Sequence, residues 1–414
     1  MSICSIEWVA SLLVLSAFFF SLPNRFQRQI VLAFCNVVFL TTQMPDWAAW
    51  VTLAVFVLSG YGVARIVMAH PRRIILVGYL VLLIAAFLVL KRYVFIKVLL
   101  PEALFRRAVA TVGLSYMLFR QIQVVVDAFQ GQVQELTLWN YVNYQINLFG
   151  FVAGPIQRYQ EFCRSWVDLG PILTDAESIL HAYLRIFLGV LKITLVAGLC
   201  LSLFESCSLV LGDAATTQRE SHGKRILQLL ELFYSYPLYI YFNFSGYCDM
   251  VIAGAALVGL RMPENFIRPY LSRNMIEFWT RWHRTLGLWI RDYVFTPMYK
   301  AIASRWPARA ASCAFLCYFV AFFLAGVWHG STWNCVVYGF LNGLGLAVTK
   351  LWENHLIKKH GRPWFRSYLQ NPAIRVAAIV TTLNFVCLTI FFFASDLEKT
   401  YQIVKNALTF VTKI

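Results

Sequence analysis

Residues Cys313–Val348 read CAFLCYFVAFFLAGVWHGSTWNCVVYGFLNGLGLAV, two apolar runs without a single formal charge on either side of the stretch GVWHGSTWN, Gly326–Asn334. Runs of this composition are stable as helices facing lipid, where every backbone polar group must be satisfied within the segment. Between them Gly326 and Gly330 bracket His329, and the glycines let the chain depart from a straight helix. An ionisable side chain at membrane depth is costly and tends to line a cavity or pathway. With an ordinary pKa of roughly 6.5, an imidazole there can take a proton from a hydroxyl and return it to a leaving group. His329 is therefore the first catalytic candidate; the alternative is a histidine that bonds a carbonyl freed at the break.

Outward from this stretch the composition is the same. Of 414 residues 59% are hydrophobic and 14% charged, with a mean hydropathy of +0.63. That excludes an ordinary soluble chain and predicts an all-α, polytopic integral membrane protein. Apolar runs at Ile6–Leu22, Ile30–Thr42, Trp47–Met68 and Ile74–Leu90 are followed by others around Val109–Phe129, Tyr141–Gly154, Ile179–Leu211, Leu227–Leu260 and Ala373–Ala394. With roughly 20 residues per span, they predict about ten to twelve spans plus interfacial and re-entrant helices. The polar stretches Thr216–Arg225 and Lys350–Arg366 read as loops. One membrane domain, 1–414, is expected, made of N-terminal helices (1–100), a catalytic core (113–349) and a C-terminal helix and tail (373–414).

Lys plus Arg outnumber Asp plus Glu by 36 to 20, a formal charge of +16. In a membrane chain this marks loops kept in the cytoplasm, and it argues no nucleic-acid role. Arg25 and Arg28, then Arg72 and Arg73, put alternate loops inside and the N-terminus outside. The first segment has Glu7 in front of it where a signal peptide has basic residues, so it is expected to stay as a span. Most of the ten cysteines lie in apolar runs as small hydrophobes. Cys313 and Cys317 share a helix face, but without a nearby histidine no metal site is expected.

The stretch Arg261–Arg309 concentrates nine basic and three acidic residues between apolar regions and cannot cross a bilayer as a plain helix. Read as one helix, Met275–Phe295 aligns Phe278, Trp282, Trp289 and Tyr293 on one face and Arg281, Arg284 and Arg291 on another, which suits the membrane interface. These arginines meet either an anionic donor or lipid phosphates. His283 falls between the two faces and is either structural or catalytic. FVAGPIQRYQEF sets Gly154 and Pro155 at a helix end ahead of Arg158, which binds a phosphate or simply ends the helix. In FNFSGYCDM, Asp249 is predicted to pair with an arginine of the basic stretch, an architectural role.

Taken in order, GLSYMLFRQIQVVVDAFQG (Gly113–Gly131), FVAGPIQRYQEF, FNFSGYCDM, PENFIRPYLSRNMIEFWTRWHRTLGLWIRDYVF and GVWHGSTWN resemble the membrane-bound O-acyltransferase family. The resemblance is closest to the bacterial branch of alginate O-acetyltransferases and the D-alanyl transfer protein of teichoic acid modification. It implies catalytic roles for His329 and His283, and a donor or substrate site that takes in Arg158, Arg281, Arg284, Arg291, Trp328 and Asn334. A cytoplasmic thioester would meet an extracytoplasmic hydroxyl near His329. No bound cofactor is implied; acetyl-CoA is the expected donor, with an acyl carrier protein as the alternative. The expected partners are membrane lipids, an exported polysaccharide and a separate SGNH-type acyltransferase, since no extracellular catalytic domain is fused in cis. The expected location is the bacterial cytoplasmic (inner) membrane. Many relatives have a histidine where Asn342 precedes Gly343, so that position's role does not carry over. A transporter using His329 as a proton relay is the competing class, against which stands the lack of an internal repeat.

Overall fold

The structure is a computed structural model that describes residues 6–44, 46–91, 93, 113–213, 221–330, 332–394 and 397–411. All regular structure among these residues is helical. Among the described residues six helices are long and apolar enough to cross a membrane: Trp47–Ala69, Arg73–Leu90, Ala176–Gly212, Ser312–His329, Trp333–Gln370 and Pro372–Ala394. The remaining apolar runs fold into pieces that are shorter, more polar or broken. The run expected at Tyr141–Gly154, for example, becomes the helices Leu138–Gln145 and Leu148–Phe151. Residues 109–112 of the run before it, Cys4, Ser331 and residues 216–220 of the Thr216–Arg225 stretch lie outside the described residues; His222–Arg225, expected in a loop, open the helix His222–Leu257.

The chain divides into two compact units, residues 1–190 with 246–264, and residues 191–245 with 265–414. In the first unit, Trp47–Ala69 packs on Leu114–Phe129. A Cβ on Gly60 would fall 2.3 Å from the Tyr141 hydroxyl and 2.5 Å from Gln121, so only glycine admits this approach. Arg120, 2% exposed, donates to the carbonyls of Tyr144 and Gln145 at 2.9 Å and to that of Gly150, which keeps a buried cation supplied with acceptors. Gly154 lies tight on the same turn, where a Cβ would meet the Phe149 carbonyl at 2.1 Å.

In the second unit, Ala310–His329 and Trp333–Gln370 form an antiparallel hairpin. Its seam is made of small residues. A Cβ on Gly326 would meet the Gly339 Cα at 2.1 Å, and one on Gly343 the Phe319 carbonyl at 2.7 Å. Gly326 thus serves close helix packing rather than the break expected of it, as small residues do where apolar burial gives no drive for association. Gly330 has φ −169, extended backbone that any residue adopts.

Two further expectations are corrected here. Lys350–Arg366 is helical, not a loop: the Trp333–Gln370 helix runs through it with one kink at Gly361, φ 85, ahead of Pro363. Lys350 pairs with Glu353 at 3.3 Å, and His360, Trp364 and Tyr368 stack along the helix, giving polar sequence enough local support. The basic stretch is not one helix over Met275–Phe295. It comprises Met275–Arg281, Arg284–Ile290 and a π segment Arg291–Phe295, with the break at Trp282–His283.

Candidate active site

The break that carries His283 is built by main-chain bonds. Met275–Arg281 is capped by Asn274, whose side chain accepts from the Glu277 N–H at 2.8 Å, and it ends when the Trp282 N–H closes on the Phe278 carbonyl at 2.7 Å. His283 then adopts φ 41, ψ 49, the left-handed region. Its carbonyl accepts from Leu286 at 2.9 Å and Gly287 at 3.1 Å, which starts the next helix. A Cβ on Gly287 would sit 2.7 Å from the Trp279 carbonyl, so glycine lets the second helix fold back onto the first. A non-glycine residue in the left-handed region stores strain and is worth inspecting for function.

The His283 ring is 2% exposed. Its Nδ1 lies 3.3 Å from Asn265 Oδ1, which also accepts from the Thr285 hydroxyl at 2.8 Å and the Thr285 N–H at 3.2 Å. Phe244 meets the imidazole edge to face, with centroids 4.8 Å apart at 84°. Phe266 and Trp282 extend the same aromatic cluster at 5.1 Å. Burial, and next the charge that His329 would carry, push the His283 pKa down to about 3, so this imidazole is neutral at physiological pH. Sequence reasoning missed Asn265, Phe244 and Thr285. The only signal for Asn265 was a polar residue inside PENF, and burial alone distinguishes it from its neighbours.

His329 is the last residue of Ala310–His329 and is half-buried. Trp328, Tyr338 and Phe393 surround it at centroid distances of 4.8, 5.7 and 5.8 Å. An aromatic wall of this kind keeps water from the part of the ring it covers. Asn334 is buried and donates to the Phe392 carbonyl at 3.3 Å, tying the start of Trp333–Gln370 to Pro372–Ala394.

The arginines divide. Arg281 is bound to Glu277, which also holds Arg273 at 2.9 Å; Arg291 pairs with Asp292 at 2.8 Å. Arg284 is half-buried just after His283, and its N–H donates to the Asn265 carbonyl at 2.9 Å. Arg158 belongs to the other unit, at the N-terminus of Tyr159–Val167, where its N–H donates to Glu161 at 3.3 Å. The arginine that holds Asp249 comes from outside the basic stretch. It is Arg185 of Ala176–Leu191, whose Nε donates at 2.9 Å while its two terminal nitrogens hold Glu264 at 2.7 Å each. The sequence offered nine cations near Asp249 in order along the chain, but a helix neighbour in space won. Among the described residues no group of three His, Cys, Asp or Glu side chains is placed to hold a metal ion.

The chain is thus a multi-pass helical membrane protein with one histidine buried at a strained break and another at the end of a membrane-length helix. Residues 88–392 match the MBOAT, membrane-bound O-acyltransferase family. The chain belongs to that family and is an acyltransferase. It is 28% identical over 291 residues to the teichoic acid D-alanyltransferase of Bacillus subtilis, which covers 69% of each chain. It is 27% identical over 240 residues to the probable alginate O-acetylase AlgI of Pseudomonas syringae, 58% of this chain and 42% of that one. The corresponding match in Azotobacter vinelandii is 26% over 264 residues, 62% and 48%.

Proposed function

We propose that the chain moves a small acyl group from a thioester donor to a hydroxyl, with His329 as general base. The single observation that carries this reading is a half-buried imidazole at the end of a membrane-length helix, walled by Trp328, Tyr338 and Phe393. His329 takes the proton of the acceptor hydroxyl as its oxygen attacks the thioester carbonyl carbon. The carbon–sulfur bond then breaks, and the thiolate leaves with the proton from the imidazolium, so the imidazole ends neutral and the products are an ester and a thiol. Aromatic walls favour this by keeping water from competing with the acceptor.

For the group transferred there are two readings. Acetyl from acetyl-CoA to an exported polysaccharide is the reading of the motif wording, GYCDM and WHGSTWN. D-alanyl from a carrier protein to a teichoic-acid-type polymer is supported by alignment extent, since the match covers 69% of the D-alanyltransferase but 42% of the O-acetylase. For either reaction the proposed location is the bacterial cytoplasmic membrane, with Arg281, Arg284, Arg291 and Arg158 as candidates for meeting an anionic donor and an SGNH-type protein as the candidate partner. Purified protein in lipid is given acetyl-CoA or a D-alanyl-loaded carrier protein, and free thiol release is followed. Release from one donor only, abolished in His329→Ala, is expected; release from neither, together with proton-coupled solute uptake in vesicles, would replace the enzyme reading with the transporter one.

A further inference from the structure

Three donors face one oxygen at His283. Asn265, 0% exposed, presents Oδ1 to the Thr285 N–H at 3.2 Å, to the Thr285 hydroxyl at 2.8 Å and to His283 Nδ1 at 3.3 Å. A backbone N–H only donates, so the side-chain atom it meets must be the amide oxygen rather than the amide nitrogen. The main chain therefore orients this amide. An oxygen with no proton of its own, set against Nδ1, requires the ring proton to be on Nδ1.

We infer that Asn265 is a positioning residue that fixes His283 as the Nδ1–H tautomer, with the ring's lone pair on Nε2. The loop bearing Asn265 and the break bearing His283 are joined by two main-chain bonds, Arg284 N–H to the Asn265 carbonyl at 2.9 Å and Ile267 N–H to the Arg281 carbonyl at 3.0 Å. Their spacing is thus set independently of the side chains. Phe244 supports the ring by an edge-to-face contact at 4.8 Å, which blocks the ring rotation that would exchange Nδ1 for carbon. A buried, neutral imidazole has one ring proton, and where it resides decides whether Nε2 accepts or donates. In the transfer reaction an accepting Nε2 has no proton to give the leaving thiolate, which leaves proton transfer to His329. This last role rests on the acyl-transfer reading; the tautomer does not.

The test uses the full chain with 15N-labelled histidine in lipid, the His283 signals being assigned by their loss in His283→Gln. A protonated Nδ1 and an unprotonated, pyridine-like Nε2 are expected; the reverse assignment overturns the inference even if acyl transfer is intact. Asn265→Asp, whose carboxylate accepts the same donors, should keep the Nδ1–H signature and most of kcat. Asn265→Ala should lose the single-tautomer signature and lower kcat roughly 10- to 100-fold with little change in donor KM. An Asp variant that folds but shows the Nε2–H form also overturns it. If no donor is consumed by the wild-type protein, the acyl-transfer reading fails while the nitrogen spectra still decide the tautomer.

Discussion

Arg185 holds two carboxylates at once, Asp249 with a side chain 17% exposed and Glu264 with one 48% exposed. Removing the cation leaves both anions facing each other, one of them largely out of water. Arg185→Gln should cost about 1–3 kcal/mol, the range for charge-assisted bonds of which one partner is partly solvated. The check is the thermal unfolding midpoint in detergent, where an unchanged value would mean the triad contributes nothing to stability. His329 is a different kind of residue, set among the rings of Trp328, Tyr338 and Phe393 at the end of a helix. His329→Ala should retain the wild-type elution profile and helical circular dichroism while acyl transfer falls at least roughly a hundredfold. Both behaviours follow from what each side chain touches: one is clamped by opposite charge, the other is set against an aromatic wall.

The Ala310–His329 and Trp333–Gln370 hairpin closes on bare glycine. Gly326→Leu places a branched side chain where a Cβ already falls 2.1 Å from the Gly339 Cα, and the helices must part. The expected loss is about 1–3 kcal/mol, as for overpacking elsewhere. Gly78→Leu is the control, because a Cβ there meets nothing within 4 Å, and it should melt with the wild type. On Met275–Arg281 the element is held by Glu277. Burial alone would raise its carboxyl, but bonds from Arg273 and the charges of Arg273 and Arg281 outweigh it and hold the group below 4.5. A carboxylate with a depressed folded pKa contributes stability that is present above 4.5 and lost as pH falls through the lower folded value. Acid unfolding curves of Glu277→Gln should therefore converge on those of the wild type at low pH and separate from them, with the variant less stable, above the ordinary carboxylate range.

For the whole molecule, the length of one helix bears on where the chemistry sits. The helix Ala310–His329 covers 20 residues, or about 30 Å, one hydrocarbon thickness. His329 then lies at the end of a full span. In a background without native cysteines, Thr332→Cys, exposed, should react quickly with a membrane-impermeant thiol reagent from one face alone. Val327→Cys, half-buried, should react slowly and only with a small permeant reagent. Equal, fast labelling at both positions would put His329 in an open loop and end the reading of a transfer centre at the end of a membrane span.

Composition and runs of apolar sequence determined that this chain is a multi-pass helical membrane protein, because lipid offers the backbone no hydrogen-bond partner and a helix satisfies its own. Motif order along the chain determined the family for the same reason that it marked GVWHGSTWN and the basic stretch: such residues are expensive beside lipid and stand out against apolar surroundings. Tertiary structure decided what periodicity could not. A regular 3.6-residue pattern through Met275–Phe295 has no term for a strained residue, and His283 leaves the helix because Asn265 and Ile267, from a preceding loop, bond across the break. Asp249 took Arg185 over nearer cations in the basic stretch, since a salt bridge depends on distance in space and the sequence records only distance along the chain.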